Sequence, residues 1–493
     1  MAKLIIWQNG SSQEVIFNPP AKLDGVLQQN HIIRSHPCGG RGICGKCKVK
    51  FVGCVSEPNP MEQQAGTRLS CQAVLLGDAE VWLSEASSMI QIEISSRGNE
   101  TGIDKLNPME GRLGAAFDIG TTTLALKLFD LKTGKCIGQS SMENPQRAVA
   151  ADVMGRIQAA LDGKGETLKR QIRRALSELL ALACQDAGCA QSYVDAMVIV
   201  GNTTMLYLIA GESPKSLAYA PFLADDLFDR TEIILDRRTY LPPCMNAFVG
   251  ADITAAVLAS RMCEQDETTL LCDIGTNGEM ALWKDGILYV ASTAAGPAFE
   301  GAGISCGCGS IRGAADKAWI EDGKIRIHTI GEAAPVGVCG SGLLDAIAVY
   351  LELEKIDETG AMKDDELPLG GEVSILPKDV RAVQLAKAAI AAGIETMFTE
   401  VGIGAEDVQK LYIAGGFGSH LNIESAVRIG LIPKELENKV EILGNAALLG
   451  AAMMLLSQTL QEKAKTIASA SKHVNLGGNR VFNEWFVEKM MFE

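Results

Sequence analysis

The chain has 493 residues, of which 47% are hydrophobic and 21% are charged, a composition typical of globular proteins and not of disordered or collagen-like chains. At roughly 150 residues per domain, this length predicts about three folding units. The net charge of -15 argues against nucleic acid as the main partner, because a protein that binds the phosphate backbone is normally basic.

No membrane span or export signal is predicted. The most apolar stretch, residues 445–456, is too short to cross a bilayer, and the N-terminal sequence MAKLIIWQNG lacks the apolar core and cleavage site of a secretory signal. We therefore expect a cytoplasmic protein without a membrane partner. In that compartment the 14 cysteines indicate metal ligands or reduced thiols rather than disulfides.

The N-terminal region, residues 1–94, is predicted to be a small α+β domain. Two apolar runs within residues 4–17 flank a polar turn and indicate a β-hairpin. A short helix is expected over residues 22–30, where apolar residues recur on one face, and a strand over residues 48–52. A loop rich in glycine and cysteine joins this helix to the strand.

Four cysteines in and after this loop have the spacing of an iron–sulfur site. Cys38, Cys44 and Cys47 follow a C-x5-C-x2-C pattern, and 23 residues separate Cys47 from Cys71. This spacing differs by one residue from that of plant-type 2Fe-2S ferredoxins, whereas structural zinc sites normally use two separate C-x-x-C pairs. The four cysteines are therefore the predicted ligands of a 2Fe-2S cluster, with zinc or four reduced thiols as the alternative. Together with the hairpin and the helix, the loop resembles the β-grasp fold of plant-type ferredoxins.

A polar segment at residues 95–112 is predicted to be a linker, because it contains glycines and a proline and has no hydrophobic period. Residues 1–95 carry eight basic and eight acidic side chains, so the whole net negative charge lies after them. This change in charge indicates two bodies of different character. We expect the second body to span residues 113–493.

Three strand-like segments of the second body each end in a glycine-rich turn, at residues 115–123, 270–279 and 411–419. Helical patterns lie between them, including residues 166–186 and 381–400. The repeated pattern predicts an internally duplicated α/β domain with two related lobes. We expect the two lobes to comprise residues 113–265 plus 443–493, and residues 266–442.

The first two of these turns are typical of phosphate binding. Each begins with an aspartate that can hold magnesium through water, followed by glycine and by side chains that can face a phosphate. One D-x-G-T turn alone also fits an ordinary hairpin, but two copies 155 residues apart favour a nucleotide site. The predicted residues are Asp118, Gly120, Thr121 and Thr122 in the first turn, and Asp273, Gly275, Thr276 and Asn277 in the second.

The third turn contains Gly415, Gly416 and Gly418, where the lack of side chains lets adenine or ribose approach the backbone. Glu279, just after the second turn, is predicted either to position the attacking water or to be a strand-end carboxylate on the surface. In this order the three segments resemble the phosphate-1, phosphate-2 and adenosine motifs of the actin, sugar-kinase and heat-shock-chaperone superfamily. The resemblance implies an actin-like ATPase domain that binds ATP with Mg2+.

The fusion of a ferredoxin-like domain to such a body resembles the reductive activators of corrinoid proteins, on the motifs DIGTTT, GNTTM, DIGTNGE, VGVCGSGLLDAIA and IAGGFGSHL. The resemblance implies an ATP-hydrolysing enzyme of anaerobic metabolism that passes one electron from a 2Fe-2S cluster to a corrinoid protein. The cobalt is converted from Co(II) to Co(I) for a methyltransferase or O-demethylase system. A low-potential electron donor and a homodimer are also implied. Better-known members carry a further middle domain, where this chain has only the 18 linker residues.

Two other functions fit parts of the pattern. A small-molecule kinase of the same superfamily would need a carboxylate base in the cleft and would make no use of iron. A redox-sensing, chaperone-like switch would release a partner on binding ATP, without any change at cobalt. Kinase turnover and partner release are therefore the observations that distinguish these functions from corrinoid reduction.

Overall fold

The computed structural model describes residues 1–8, 11–30, 32, 47–59, 62–63, 68–83, 103 and 106–492. Of the predicted cluster ligands, Cys38 and Cys44 lie outside these residues, and Cys47 and Cys71 lie within them. In the described ranges, none of the helices is long and apolar enough to cross a membrane.

The N-terminal domain is a mixed β-sheet with a helix in its core. Its elements are β1 (Ala2–Gln8), β2 (Ser11–Phe17), β3 (Ala21–Lys22), α1 (Leu23–Gln29), β4 (Lys48–Val55), β5 (Arg68–Leu69) and β6 (Val74–Leu83). The sheet order is β2-β1-β6-β4-β5, with β1 parallel to β6 and the other neighbours antiparallel. Alternate residues of β1, Leu4 and Ile6, pack in one core with Leu23 and Leu27 of α1. The predicted hairpin, helix and strand are confirmed in a β-grasp arrangement.

The second body begins with a six-stranded sheet and its helices. The strands are β7 (Leu113–Ile119), β8 (Thr123–Asp130), β9 (Cys136–Glu143), β10 (Val194–Gly201), β11 (Arg230–Ile234) and β12 (Arg237–Leu241). The helices are α2 (Val153–Ala159), α3 (Gly165–Asp186), α4 (Thr203–Ala210) and α5 (Ala251–Ser260). The sheet order is β11-β12-β10-β7-β8-β9.

A second sheet follows in the chain. Its region contains β13 (Thr269–Ile274), β14 (Gly278–Lys284), β15 (Ile287–Thr293), β16 (Ala314–Glu321), β17 (Lys324–Thr329), β18 (Gly337–Val338), α6 (Gly340–Glu352), β19 (Leu367–Gly370) and β20 (Val373–Ile375). It continues with α7 (Pro377–Val401), β21 (Lys410–Ala414), α8 (Ile423–Arg428), β22 (Val440–Gly444), α9 (Ala446–Leu456), α10 (Gln458–Ala470), β23 (Lys472–His473) and α11 (Arg480–Glu488). The order of the large sheet is β22-β21-β13-β14-β15-β23.

The two large sheets share the order and direction of five strands and differ in the sixth, edge strand, and the shared part confirms the predicted duplication. In the first, β7 is antiparallel to β8 and parallel to β10. In the second, β13 is antiparallel to β14 and parallel to β21. The predicted phosphate turns follow β7 and β13, so they occupy equivalent places in the two sheets. The predicted helices at 166–186 and 381–400 are α3 and α7.

The C-terminal segment, residues 443–493, is divided between the two lobes, whereas the sequence pattern assigns all of it to the first. Helix α9 packs on α5 so closely that a Cβ on Gly450 would lie 2.1 Å from the Ala255 carbonyl oxygen, which explains its small residues. Strand β23, in contrast, pairs with β15 of the second sheet, and Phe492 lies in the second core. The apolar pattern that marks α9 gives no sign of the point after α10 where the chain crosses to the second lobe.

The described end of the predicted linker packs on the second body. Asn107 donates its backbone N-H to the Leu456 carbonyl at 3.1 Å, and Met109 donates to that of Leu455 at 3.0 Å. The Met109 side chain is buried. Residues 107 to 109 are therefore fixed to the end of α9 although they precede β7.

Candidate functional site

A cleft of about 540 Å³ brings the predicted nucleotide residues together. The predicted residues that line it are Asp118, Gly120, Thr121, Thr122, Asp273, Gly275, Thr276, Asn277, Glu279, Gly415 and Gly416. Gly418 does not line the cleft. A Cβ at Gly418 would lie 2.6 Å from Cγ2 of Ile413, so packing against β21 accounts for this glycine.

Two asparagines hold the first phosphate turn. The Asn144 side-chain amide donates to the Gly120 carbonyl at 2.8 Å, and the Asn202 amide donates to the Thr121 hydroxyl at 3.2 Å. Asn202 also caps α4, accepting a hydrogen bond from the Met205 N-H. The motif GNTTM therefore begins a helix and orients the turn with the same side chain.

A third asparagine connects this turn to the C-terminal part of the chain. The Asn445 amide donates to Oδ2 of Asp118 at 2.9 Å, while its Oδ1 accepts from the Leu448 N-H at 2.7 Å and caps α9. Asp118 and Asn445 are 327 residues apart in sequence. The sequence pattern identified α9 but not this contact.

The second turn and the third glycine-rich segment meet at one carboxylate. Gly415 has a φ of +90°, and a Cβ on it would lie 2.5 Å from Oδ1 of Asp273. Glycine is therefore required at this position both by its backbone conformation and by the nearby carboxylate. At Gly416 an added Cβ would meet nothing within 4 Å, which leaves this backbone open to a ligand.

Glu300 joins the two phosphate turns across the cleft. Its Oε1 accepts a hydrogen bond from the Thr276 hydroxyl at 2.9 Å, and its Oε2 accepts one from the Thr122 hydroxyl. Glu300 ends the short helix Pro297–Glu300 and was not among the predicted site residues. The two turns that are predicted to bind phosphate thus share one carboxylate.

Four acidic side chains crowd the same cleft. Burial raises the pKa of Asp118 to about 6 and that of Asp273 to about 7. Burial, followed by the charges of Asp118 and Asp273, raises the pKa of Asp252 to about 8. Burial and the charge of Asp252 also hold the pKa of Glu279 well above its usual value. Strongly raised carboxyl pKa values in a cleft are typical of a site built for catalysis or cation binding.

Asp252 was not among the predicted site residues. It lies in the first turn of α5, where the preceding Gly250 approaches the first sheet so closely that a Cβ would be 2.4 Å from Cα of Asn202. This close approach carries Asp252 into the cleft. A signal was present in the sequence GADITAAVLAS, which has the glycine and the acid at a helix start.

Direct metal binding by the described side chains is not indicated. Within the ranges that the structure covers, no three His, Cys, Asp or Glu residues are arranged to hold a metal ion together. Cys308 and Cys339 line the cleft, and the Cys306 thiol donates to the Ser374 carbonyl at 3.0 Å.

The raised carboxyl pKa values predict a pH-dependent stability. The folded pKa of Asp252 exceeds the unfolded value of roughly 4, so the folded state holds more protons between pH 4 and 8, and stability falls as pH rises through this window. We expect Asp252→Asn to raise the free energy of unfolding at pH 8 by about 2 kcal/mol, a modest value because the carboxylate faces an open cleft. Urea unfolding at pH 5 and pH 8 in the presence of a metal chelator measures this.

The control for this prediction is Asp266→Asn, at an exposed position soon after α5. It should leave the difference in stability between pH 5 and pH 8 unchanged. An Asp252→Asn protein with the full wild-type pH dependence would contradict the role given to this carboxylate.

In the N-terminal domain, the two described cluster cysteines converge. Cys47 and Cys71 are buried, and their Sγ atoms lie 3.3 Å apart. Two thiolates bound tetrahedrally to one metal ion with bonds of 2.3 Å are separated by roughly 3.7 Å, so this pair fits a shared iron. The thiol hydrogen bond from Cys47, together with burial, raises the pKa of Cys71, and a bound metal would reverse this by removing the proton.

Buried polar groups fix the segment that carries Cys71. Glu62 is 2% exposed and its Oε1 accepts hydrogen bonds from Nε of Arg68 at 3.0 Å and from the Leu69 N-H at 2.9 Å. Strand β5 thereby pairs with the start of β4 and sets Cys71 beside Cys47. The Gln72 amide donates to Sγ of Cys71 at 3.5 Å, a contact of the kind that tunes the potential of an iron–sulfur cluster.

The fold therefore defines a class of protein: a ferredoxin-like iron–sulfur domain joined to a nucleotide-binding domain of the actin-like type. Family models support both parts. The 2Fe-2S iron–sulfur cluster binding domain matches residues 6–76, the RACo middle region matches residues 113–265, and the C-terminal domain of RACo, the ASKHA domain, matches residues 267–493. The RACo middle region thus coincides with the part of the chain expected to be the first lobe.

The similar proteins identify the family. The chain is 34% identical over 461 residues to the corrinoid activation enzyme RamQ of Eubacterium limosum, covering 85% of this chain and 77% of that protein. It is 26% identical to the [Co(II) methylated amine-specific corrinoid protein] reductase of Methanosarcina barkeri, with 77% of each chain covered. A solved structure of a reductive activator for corrinoid, iron-sulfur protein matches with a TM-score of 0.74 and 27% identity, over 100% of this chain and 98% of that chain. The chain belongs to the family of reductive activators of corrinoid proteins.

Proposed function

We propose that this protein reduces the cobalt of a corrinoid protein from Co(II) to Co(I), with one electron, at the expense of ATP hydrolysis. The observation that carries the proposal is the presence in one chain of a converging buried cysteine pair and an acid-lined cleft built from two duplicated phosphate turns. The names of its relatives, a corrinoid activation enzyme and a corrinoid protein reductase, support the choice of partner. We place the reaction in the cytoplasm, within a methyltransferase or O-demethylase system of anaerobic metabolism, and expect a homodimer.

Cys38, Cys44, Cys47 and Cys71 are the proposed ligands of a 2Fe-2S cluster. When bound, the cluster supplies a carrier for single electrons, refilled by a low-potential donor. The chain itself contributes the buried pair Cys47 and Cys71 and the amide of Gln72, which donates to the Cys71 sulfur. The Gln72 amide holds the Cys71 thiolate, and the burial of the cysteine pair keeps water away from one side of the site.

In the cleft, the proposed roles follow the geometry. Asp118 and Asp273 hold the water shell of Mg2+, while the turns at Thr121, Thr122, Thr276 and Asn277 contact phosphates, and Gly415 and Gly416 lie along the adenosine. Glu279, within hydrogen-bonding distance of the Asn277 amide at 3.1 Å, orients the attacking water.

The energetics account for the use of ATP. Moving one electron uphill by 59 mV costs roughly 1.4 kcal/mol, so a gap of a few hundred millivolts between a ferredoxin-like donor and a corrinoid requires roughly 5 to 7 kcal/mol. Hydrolysis of ATP to ADP and phosphate releases free energy, and this energy is coupled to the electron transfer only if lobe closure changes how the corrinoid protein is held. Closure about a cleft between two lobes is a common way to achieve this.

The test is reconstitution with a Co(II) corrinoid protein under anaerobic conditions. With a chemical reductant present, we expect the Co(I) absorbance to rise several-fold more with ATP and Mg2+ than with either one alone. Equal Co(I) yields with and without ATP would end the proposed coupling. Phosphorylation of a sugar or carboxylic acid by protein lacking iron would favour the kinase instead, and ATP-dependent release of the partner at unchanged cobalt would favour the switch.

A further inference from the structure

Arg156 is a buried cation behind the first phosphate turn. It lies on α2 with no exposed surface. Its guanidinium donates to the carbonyl oxygens of Thr121 and Ala150 and to Oε1 of Gln146, the last two at 3.1 and 3.2 Å. Among the described residues no carboxylate forms an ion pair with it. Its hydrogen bonds are therefore made to neutral acceptors, and its charge is not neutralised by direct contact.

An unpaired buried charge is costly. Transfer of an ion into a protein interior costs several kcal/mol even after relaxation, and neutral acceptors recover only part of this. Burial, followed by the positive charge of Arg147, lowers the pKa of Arg156 to about 9, while the charges of Asp152 and Glu300 oppose the shift. Glu300 is the carboxylate held between the hydroxyls of Thr122 and Thr276. The guanidinium thus acts on the part of the cleft where the two phosphate turns meet.

The hydrogen bond from Arg156 to the Thr121 carbonyl transmits the effect of the guanidinium charge to the cleft. A trans peptide is planar, so the N-H of Thr122 points in the direction opposite to the Thr121 C=O, away from Arg156. A hydrogen bond to that carbonyl polarises the peptide and makes its N-H a stronger donor. Thr122 lines the cleft, and the charge of Arg147, which also lines it, is already paired with Glu143.

We propose that Arg156 is a positioning residue whose fixed positive charge favours the phosphates of the nucleotide at the first turn, acting through the peptide between Thr121 and Thr122. The inference rests on the proposed ATP site and adds a source of positive potential in a cleft whose charged lining residues are mainly carboxylates. Because a charge acts in proportion to the charge of the ligand, its contribution must grow from adenosine to ADP to ATP. A residue that merely packs the turn would affect all three ligands alike.

The experiment is calorimetric titration of the full chain with adenosine, ADP and ATP, each with Mg2+. For Arg156→Gln, which keeps a donor near the Thr121 carbonyl and removes the charge, we expect ATP affinity to fall about 30-fold, ADP affinity by less, and adenosine affinity by under about twofold. Arg156→Lys, which keeps the charge, should retain ATP affinity within about fivefold. Equal losses for adenosine and ATP in the folded Arg156→Gln protein would overturn the inference.

Arg173→Met is the matched control. Arg173 also donates to a backbone carbonyl, that of Ile209 at 3.0 and 2.8 Å, and it does not line the cleft. The Arg173→Met variant should have unchanged affinities for adenosine, ADP and ATP. If the Gln variant does not fold, the Lys variant decides the matter: because it keeps the charge, a fall of more than about fivefold in its ratio of ATP to adenosine affinity would overturn the inference. Failure of the wild-type protein to bind ATP would overturn the proposed function. This outcome differs from a loss of affinity in the variants that is the same for adenosine and ATP, which would overturn only the role of Arg156.

Discussion

Replacing Cys71 with serine is expected to abolish Co(I) formation and to leave ATP binding intact. The Cys71 Sγ lies 3.3 Å from that of Cys47 in a buried pair, and a serine hydroxyl is a far weaker ligand for iron than a thiolate. We expect the iron content of anaerobically purified protein to fall on the order of tenfold, with loss of the visible 2Fe-2S absorbance. Metal analysis, the visible spectrum and ATP titration on the same sample provide the measurements.

The matched control is Cys54→Ser. Cys54 is exposed on β4, seven residues after Cys47, and is not a predicted ligand. This variant should keep the iron, the spectrum and the ATP-dependent yield of Co(I). Stoichiometric zinc in the wild-type protein, or an unchanged visible spectrum in the Cys71→Ser protein, would refute the assignment of the cluster.

The spacing of chemically distinctive residues made much of this site predictable. Cysteines at C-x5-C-x2-C spacing have few uses in a small glycine-rich loop, and two D-x-G-T turns after buried strands imply a duplicated sheet. The structure places both turns at equivalent ends of two sheets that share the order of five strands, and Asp118 and Asp273 come together in the cleft. These are local patterns, each complete within about ten residues of sequence.

The parts that the sequence did not reveal depend on contacts between distant segments. Thr122 and Glu300, which share a hydrogen bond, are 178 residues apart, and Asp118 meets Asn445 across 327 residues. Arg156 has no local pattern to mark it, because a helical arginine is ordinarily solvated. Gly418 shows the converse: a glycine in a predicted binding motif is explained here by packing on Ile413.

Replacing Asp273 with asparagine is expected to lower ATP hydrolysis on the order of 100-fold or more while the cluster spectrum stays unchanged. Asparagine keeps the size of the side chain next to Gly415, so the close contact there persists, but it removes the negative charge that would hold the water shell of Mg2+. The loss should appear in kcat for ATP hydrolysis, and the yield of Co(I) should fall to its level without ATP. Phosphate release and Co(I) absorbance are the two measurements.

Asp285→Asn is the control for this variant, because Asp285 lies in the same lobe with a side chain that is 79% exposed. It should hydrolyse ATP at the wild-type rate.

The rate of ATP hydrolysis by the wild-type protein should rise as pH increases from 6 to 8, because the pKa of Asp273 is about 7 and the cation requires the ionised carboxylate. This dependence is opposite in sign to the loss of stability over the same pH range, since the charges that destabilise the cleft are those that bind the cation. An Asp273→Asn protein that hydrolyses ATP at the wild-type rate would remove this aspartate from the mechanism.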